Sequence, residues 1–343
     1  MSIPKRPTLA DVAELSGMSK TAVSLILNDR PGSRLSQEAA ERIRVAAAEL
    51  GYKPNPAAQS LRLGKTRSIG FISNEVTITR YASAMTRGVL AGAKRWDHTV
   101  LMAETGSDVA DLRLAIEQML DRRVDGIVIG LMGARLVDAP ALPDGLPAVI
   151  VNGRTTTGLP SILPDEHQAG RTVAQTIIDA GHRSIGVIGT LQEIASDPRQ
   201  SVTIGARFDG LREGFAAAGV EPLWREVPAW SPAVGYDEVE RLRREHPEIT
   251  AVVAGNDNVA FGVYQALAER GVRVPDEISV ISFDDEELAG YLRPGLTTSR
   301  LPYQEMAEIA VDMILGDRRL KDALVTMPLT RRESVGKPAQ RSR

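Results

Sequence analysis

Polar residues recur at one kind of place in this sequence, immediately after short apolar runs. Asn74 and Glu75 follow "RSIGFIS", Asn152 and Arg154 follow "PAVIV", and Asp165 comes just after "SIL". Trp230 ends "LWREVPAW"; Asn256 and Asp257 follow "AVVAG", and Asp284 and Asp285 follow "ISVISF". Arg207 stands early in "IGARFDGLREGF". Carboxylates, amides and a guanidinium hydrogen-bond hydroxyl groups, and an aromatic face stacks on the C–H face of a sugar ring. The set suits a small polyhydroxylated ligand. Other roles stay open: Asp257 as a helix N-cap, Asp285 as a loop or cap residue, Arg154 as partner of a carboxylate across a cleft, Trp230 as core.

A second constellation lies in "TLADVAELSGMSKTAVSLILN", from Thr8 to Asn28. Thr8 and Asp11 have capping-box spacing, and Leu9, Val12 and Ala13 form one apolar face. Gly17 ends that helix and Ser19 caps the next. Val23, Ile26 and Leu27 then fall on one side, with Thr21, Ser24, Leu25 and Asn28 on the other and Lys20 at the first turn. Ser36 caps a third helix, lined inside by Ile43, Ala47 and Leu50 and stopped by Gly51. Two short helices joined by a tight glycine turn describe a helix-turn-helix. Hydroxyls suit base edges, and an apolar Leu25 suits a thymine methyl. Thr8, Lys20, Thr21, Ser24, Leu25 and Asn28 are therefore the candidate DNA-binding residues; the plainer reading is a helical cap packed on a larger domain. In "NPAAQSLRLGKT", Asn55 and Pro56 open a short helix and Gly64 ends it. Such a helix needs a packing partner to hold in water.

The elements that carry the first set follow from periodicity. "RSIGFIS", "HTVLMAE", "VDGIVIG", "PAVIVNG", "RSIGVIG", "AVVAGND" and "ISVISFDD" are strand-like and alternate with helical or turn segments. That pattern predicts parallel sheets covered on both faces, whose ligands sit beyond the carboxyl ends of the strands. "RSIGFI" at Arg67 is echoed by "RSIGVI" at Arg183, which fits two similar lobes.

Composition narrows the classes. A chain of 343 residues implies two or three domains. No apolar run approaches the ~18 residues of a membrane span, and the start of the sequence reads as lacking a signal peptide. With no cysteine, disulfides and thiolate metal sites are excluded and a cytoplasmic location is expected. Residues 1–67 hold 11 Lys/Arg against 6 Asp/Glu, whereas the rest holds 30 against 38; a basic head on an acidic body suggests that the head meets a polyanion. The sequence has no G-x-G-x-x-G, P-loop, G-x-S-x-G or H-E-x-x-H, and His98, His167, His182 and His246 lack metal spacing. No catalytic residue, metal or cofactor is expected.

The Thr8–Asn28 stretch, followed by "LSQEAAERIRVAAAELGYKPNPAAQSLRLGKTRSIGFI", resembles the head of the lac-repressor-type (LacI/GalR) transcription regulators. The resemblance implies that Lys20, Thr21 and Leu25 read the major groove. Leu25 stands where relatives often carry arginine or histidine, which leaves the operator sequence open. It also implies that Leu61 enters the minor groove from a linker packed on its copy, although the residues alone also allow a passive linker. The implied fold is an all-α helix-turn-helix head plus a doubly wound α/β body of two lobes, like a periplasmic sugar-binding protein. The chain would cross between lobes near Pro164, Leu296 and Val325. Arg207, Asn256 and Asp284 match effector-contact positions of the family, and Tyr81 and Trp230 match aromatic positions in its cleft; Asn74, Arg154 and Asp165 complete the candidate effector set.

The expected organisation is a DNA-binding domain over 1–54, a linker over 55–66, an effector-binding and dimerisation domain over 67–335 and a tail over 336–343. The first lobe would comprise about 67–164 and 297–325, the second about 165–296 and 326–335. The tail has no leucine heptads, so a homodimer is expected. The expected partners are a palindromic double-stranded DNA operator, a small polar, sugar-like effector that releases a repressor, and a second copy, with no membrane. The alternatives are a transport-type solute-binding protein and a regulator answering to a corepressor or a protein partner.

Overall fold

Three small polar side chains start the three helices of the head. In the computed structural model, Thr8 opens α1 (Leu9–Ser16) with the full capping box: Asp11 N donates to Thr8 Oγ1 and Thr8 N donates to Asp11 Oδ2 at 2.7 Å. Ser19 caps α2 (Lys20–Leu27) and Ser36 caps α3 (Gln37–Glu49), as the spacing predicts. Gly17 turns the chain between α1 and α2 at φ 68°, where a side chain is strained. Val12, Val23 and Ile43 are fully buried and hold the helices together. The structure describes residues 7–28, 35–53, 64–76, 83–106, 109–316 and 318–339. Asn55, Leu61 and Tyr81 lie outside the described residues. The chain divides between Arg67 and Ser68 into two compact units, the head and the body.

The body begins with β1 (Ser68–Asn74), α4 (Ser83–Arg95), β2 (Thr99–Thr105), α5 (Val109–Asp121), β3 (Ile127–Val137), β4 (Ala148–Thr155) and β5 (Ser161–Pro164). It continues with α6 (Glu166–Asp179), β6 (Ile185–Thr190), α7 (Gln192–Ser196), α8 (Ile204–Ala217), β7 (Leu223–Glu226), α9 (Pro232–Glu245), β8 (Ala251–Ala254), α10 (Asp257–Glu269), β9 (Ser279–Asp284) and α11 (Glu287–Tyr291). It ends with β10 (Thr297–Arg300), α12 (Tyr303–Leu315), β11 (Ala323–Val325) and β12 (Leu329–Thr330). All seven apolar runs form strands. They lie in two sheets, ordered β11-β5-β4-β3-β1-β2 and β12-β10-β9-β8-β6-β7, parallel except at β12. Each sheet is covered on both faces by helices, with separate apolar clusters above and below.

The chain passes between sheets after Pro164 and after Val325, where expected. The remaining passage falls after Arg300, beyond Leu296, because Thr297–Arg300 pairs with β9 as a strand of the second sheet. That strand is hydroxyl-rich and carries no apolar signature. Its buried polar groups are satisfied by the returning C-terminal segment: Thr297 N donates to Ser334 Oγ at 2.8 Å, and Ser299 Oγ donates to Met327 O at 3.3 Å. The expected tail also starts inside the body. Gly336 N donates to Ser279 Oγ at 3.0 Å, and Gly336 O lies 2.9 Å from the ring of buried His182.

The packing of α6 on α8 depends on glycine. The two helices approach so closely that a Cβ at Gly170 would lie 2.2 Å from Arg207 O, and one at Gly210 would lie 2.0 Å from His167 O. Only glycines permit that approach, and it brings the starts of the two helices, Glu166 and Arg207, within reach of each other. Gly210→Ala is therefore expected to destabilise the body by about 1–3 kcal/mol through overpacking. The exposed substitution Asp209→Ala one residue away is expected to cost less than about 0.5 kcal/mol. Urea denaturation measures both, and equal midpoints for the two variants would refute the account.

Candidate functional site

Arg207, on the first turns of α8, is only 2% exposed. Its guanidinium forks onto Glu166: Nε donates to Oε2 at 2.6 Å and Nη2 to Oε1 at 2.7 Å. Nη1 donates to Gly255 O at 2.6 Å, and Nη2 also reaches Asp284 Oδ1 at 3.2 Å. Phe283 and Trp230 supply π faces, with ring centroids 4.5 Å and 5.1 Å from the guanidinium carbon. Burial alone would lower the Arg207 pKa, but Glu166 and Asp284 hold it above its ordinary value. Trp230 is fixed by donating its indole N–H to Gly189 O at 2.6 Å, and it packs against both apolar clusters of the second lobe. It is thus both a wall of the site and partly core.

The carboxyl ends of β8 and β9 complete this cluster. Asp284 turns with φ 103°, a conformation that side chains rarely adopt. Burial pushes its carboxyl above the ordinary range, against the pull of Arg207, and the Asn256 side chain hydrogen-bonds it. Asn256 is also the N-cap of α10, accepting from Val259 N at 3.0 Å. That corrects the alternative that gave the cap to Asp257, which is instead the first helical residue. Asp257 is fully buried; it accepts from Ser282 Oγ and, at 2.7 Å, from Glu286 N. Burial, then the charge of Asp284, pushes Asp257 up to about 8. The same two causes push Glu286 up to about 7. Asp285 faces the C-terminal segment, accepting from Thr330 Oγ1 and Arg332 Nη2, each at 2.7 Å.

The first lobe contributes Asn74. Its amide donates to Gly106 O at 2.6 Å, and its Oδ1 accepts from Arg135 Nη2 at 2.6 Å. Asn74 and Arg135 line a cavity of about 180 Å³, together with Thr105, Leu131, Asp138 and Arg199. Arg154 is exposed and does not line this cavity. At that strand end it is Asn152 that turns inward, at φ 58°, donating to Leu131 O and Met132 O. Asp165 caps α6, accepting from Gln168 N at 3.0 Å.

"TLQEIASDPRQSV" carries no recognisable motif, yet it joins the two lobes. After α7, Pro198 O accepts from Leu136 N and Val202 N donates to Ala134 O, both at 2.8 Å. Arg199 pairs with Asp138 at 2.9 Å. Glu166, Arg135 and Arg199 are the site residues that sequence reasoning missed. Arg135 lies within β3, past the irregularity that follows Gly130 and five residues beyond the apolar run, so no strand end marks it; Glu166 lay one residue past a candidate.

In the head, Lys20 and Thr21 are exposed, and Ser24 and Leu25 are half-buried. Leu25 stays outside the apolar cluster of the head. Thr8 is engaged in the capping box, and Asn28 Nδ2 donates to Ser24 O at 2.6 Å, so both first of all hold their helices.

Comparison with known proteins places these features together. Residues 8–55 match the model for bacterial regulatory proteins of the lacI family, and residues 174–335 match a periplasmic binding protein-like domain. The chain is 30% identical over 314 residues to the ribose operon repressor of Escherichia coli (strain K12), covering 90% of this chain and 92% of that one. It is 28% identical over 314 residues to the HTH-type transcriptional repressor PurR of Glaesserella parasuis, covering 90% and 89%. Its structure is similar to that of the lac repressor dimer bound to operator and the anti-inducer ONPF, with a TM-score of 0.77, 25% identity and coverage of 97% and 100%.

The buried Asp257 generates a pH prediction. Its pKa stands at about 8 in the fold against 3.8 as the ordinary value, so the folded state holds a proton that the unfolded state has lost between those limits. Its stabilising contribution is full below the unfolded pKa, declines by at most ~1.4 kcal/mol per pH unit as pH rises, and is lost once pH passes the folded pKa. The stability difference between the native chain and Asp257→Asn, measured by urea denaturation from pH 5 to 9, should fall with pH and flatten near 8. A difference independent of pH would refute the assignment.

Proposed function

Because the chain belongs to the lacI family of bacterial regulatory proteins, we propose that it is a homodimeric repressor that binds a palindromic operator and is released by a small sugar-like effector. The observation that carries this reading is the pairing, in one chain, of a helix-turn-helix head with a two-lobed body whose strand ends converge on the Arg207 cluster. Lys20 and Thr21, with Ser24 and Leu25 beside them, are the groups offered to base edges in the major groove. Asn55 and Leu61 are assigned to a linker helix in the minor groove. The proposed site of action is the cytoplasm. No catalytic step is part of the proposal, and among the described residues no helix is long and apolar enough to cross a membrane.

The effector reading follows from what Arg207 leaves available. Four N–H donations hold it in place. It therefore orients Asp284, and Asn256 beside it, as acceptor and donor toward ligand hydroxyls, with Trp230 as a stacking wall. Asn74 answers from the first lobe, and Tyr81 is proposed to close the aromatic side. A ligand held by both lobes favours one lobe arrangement over another. It alters operator affinity only by its difference in affinity for the two, and a coupling of about 1–3 kcal/mol gives a 5- to 150-fold change.

Two measurements test this. Lys20→Ala or Thr21→Ala should relax base preference at defined half-site positions, by about 1–3 kcal/mol per lost contact, in a binding-site selection assay; an unchanged preference would remove α2 from the groove. Operator titrated with and without the effector, and effector with and without operator, should give the same coupling factor. Asp284→Asn should abolish the effector response. A variant that responds like the native chain would take Asp284 out of the site, and tighter operator binding with ligand would make it a corepressor.

A further inference from the structure

We propose that the effector is an anionic polyol, a sugar acid or a sugar phosphate, whose acidic group enters the first-lobe cavity and is bound by Arg135. This inference rests on the reading of the cleft as an effector site and specifies the ligand class.

The two walls of the cleft differ in electrostatic character. On the second lobe, the one guanidinium of the cluster, Arg207, is already bound by the carboxylates of Glu166 and Asp284 and by the Gly255 carbonyl. An anion placed there would meet like charge and no free cation. That wall suits hydroxyl groups. On the first lobe, Arg135 is half-buried, and among the described residues its hydrogen bond goes to the neutral amide oxygen of Asn74. No carboxylate of the described residues lies within ion-pair distance of it. Asn74 is itself oriented, its amide nitrogen being engaged by Gly106 O, so its oxygen is turned to Arg135 and holds the guanidinium at the cavity wall.

The second cation of the cavity, Arg199, comes from the other lobe. It is paired with Asp138, at 2.9 and 3.4 Å, and that pair is charge-neutral. Among the described residues that line the cavity, Arg135 is thus the cation that pairs with no carboxylate, while the Asp111 carboxylate stands near Gly106 of the same wall. Its volume of about 180 Å³ is below the roughly 300–1,000 Å³ of pockets that enclose an entire small ligand. It fits one functional group of a ligand, and a planar guanidinium binds a carboxylate or phosphate through two parallel hydrogen bonds. Asp138 competes with such a group for Arg199.

The test is isothermal titration calorimetry on the full-length protein at low salt, with six probes. D-glucose and D-ribose are the neutral members, D-gluconate and D-glucuronate the carboxylates, and glucose 6-phosphate and ribose 5-phosphate the phosphates. At least one acid should bind 10-fold or more tighter than the neutral sugar of its series, and whether it is a carboxylate or a phosphate identifies the group. Arg135→Gln should weaken that acid by roughly 10- to 100-fold, the range of a charge-assisted hydrogen bond, and by at least ~5-fold more than it weakens the neutral sugar. Arg135→Lys should recover part of the loss. Asp138→Asn, by freeing Arg199, should tighten the acid several-fold, and it carries the test if Arg135→Gln fails to fold. A neutral sugar binding as tightly as its acids, or an acid preference that survives Arg135→Gln and is unmoved by Asp138→Asn, overturns the anionic class and leaves the effector cleft standing. If none of the six probes binds, both readings fall.

Discussion

The Arg207–Glu166 pair is the constraint around which the second lobe is arranged. Taking a guanidinium and a carboxylate out of water costs several kcal/mol per ion, recovered only with good geometry and nearly complete hydrogen bonding. Here the fork onto Glu166, the Gly255 carbonyl, Asp284 and two aromatic faces supply that completeness. The consequences spread outward. α6 and α8 must touch at glycines for the pair to meet, and Asp284 must take a rare backbone angle. Asp257 is left beside a buried charge of its own sign and keeps its proton. Removing either partner would strand a buried charge, at roughly 3–5 kcal/mol.

Much of this was legible in the sequence because strand ends and helix starts are local. Thr8, Ser19 and Ser36 advertise their caps through spacing alone, and the apolar runs announce the core strands. Arg207, Asn256 and Asp284 stand where an open α/β sheet presents its carboxyl edge, and the structure brings these three together with Trp230. The rest depends on information that is not local. Nothing near Glu166 marks it as the partner of a residue on another helix, and Asp165, next to it, offers the same chemistry but is drawn into a cap. The cap at the start of α10 moved by one residue, from Asp257 to Asn256, because both side chains suit the role and packing of the turn decides between them. A left-handed backbone angle at Asn152 turns that side chain inward to two carbonyls, while Arg154 stays exposed, and the residue types alone do not announce that difference. β10, β11 and β12 are too short to carry a period.

The two units use polarity differently. The head keeps its polar groups at the rim, spending Thr8 and Asn28 on helix ends and leaving Lys20 and Thr21 exposed. Its core is small, and the one buried polar side chain among its described residues, Ser16, is satisfied within its own helix by donating to Val12 O. The body instead buries charge, in the Arg207–Glu166–Asp284 cluster, where the groups are dry and their partners are fixed by the fold.

The seam between β3 and the Pro198–Val202 segment has a mechanical consequence. Three covalent passages already tether the lobes, and this fourth, non-covalent one lies directly beside the cavity, with Leu136, Asp138 and Arg199 belonging to both. Unlike the covalent passages, it is held by hydrogen bonds and one ion pair. Any rotation of the lobes that separates Leu136 from Pro198 and Ala134 from Val202 therefore also draws apart the two sides of the cavity wall.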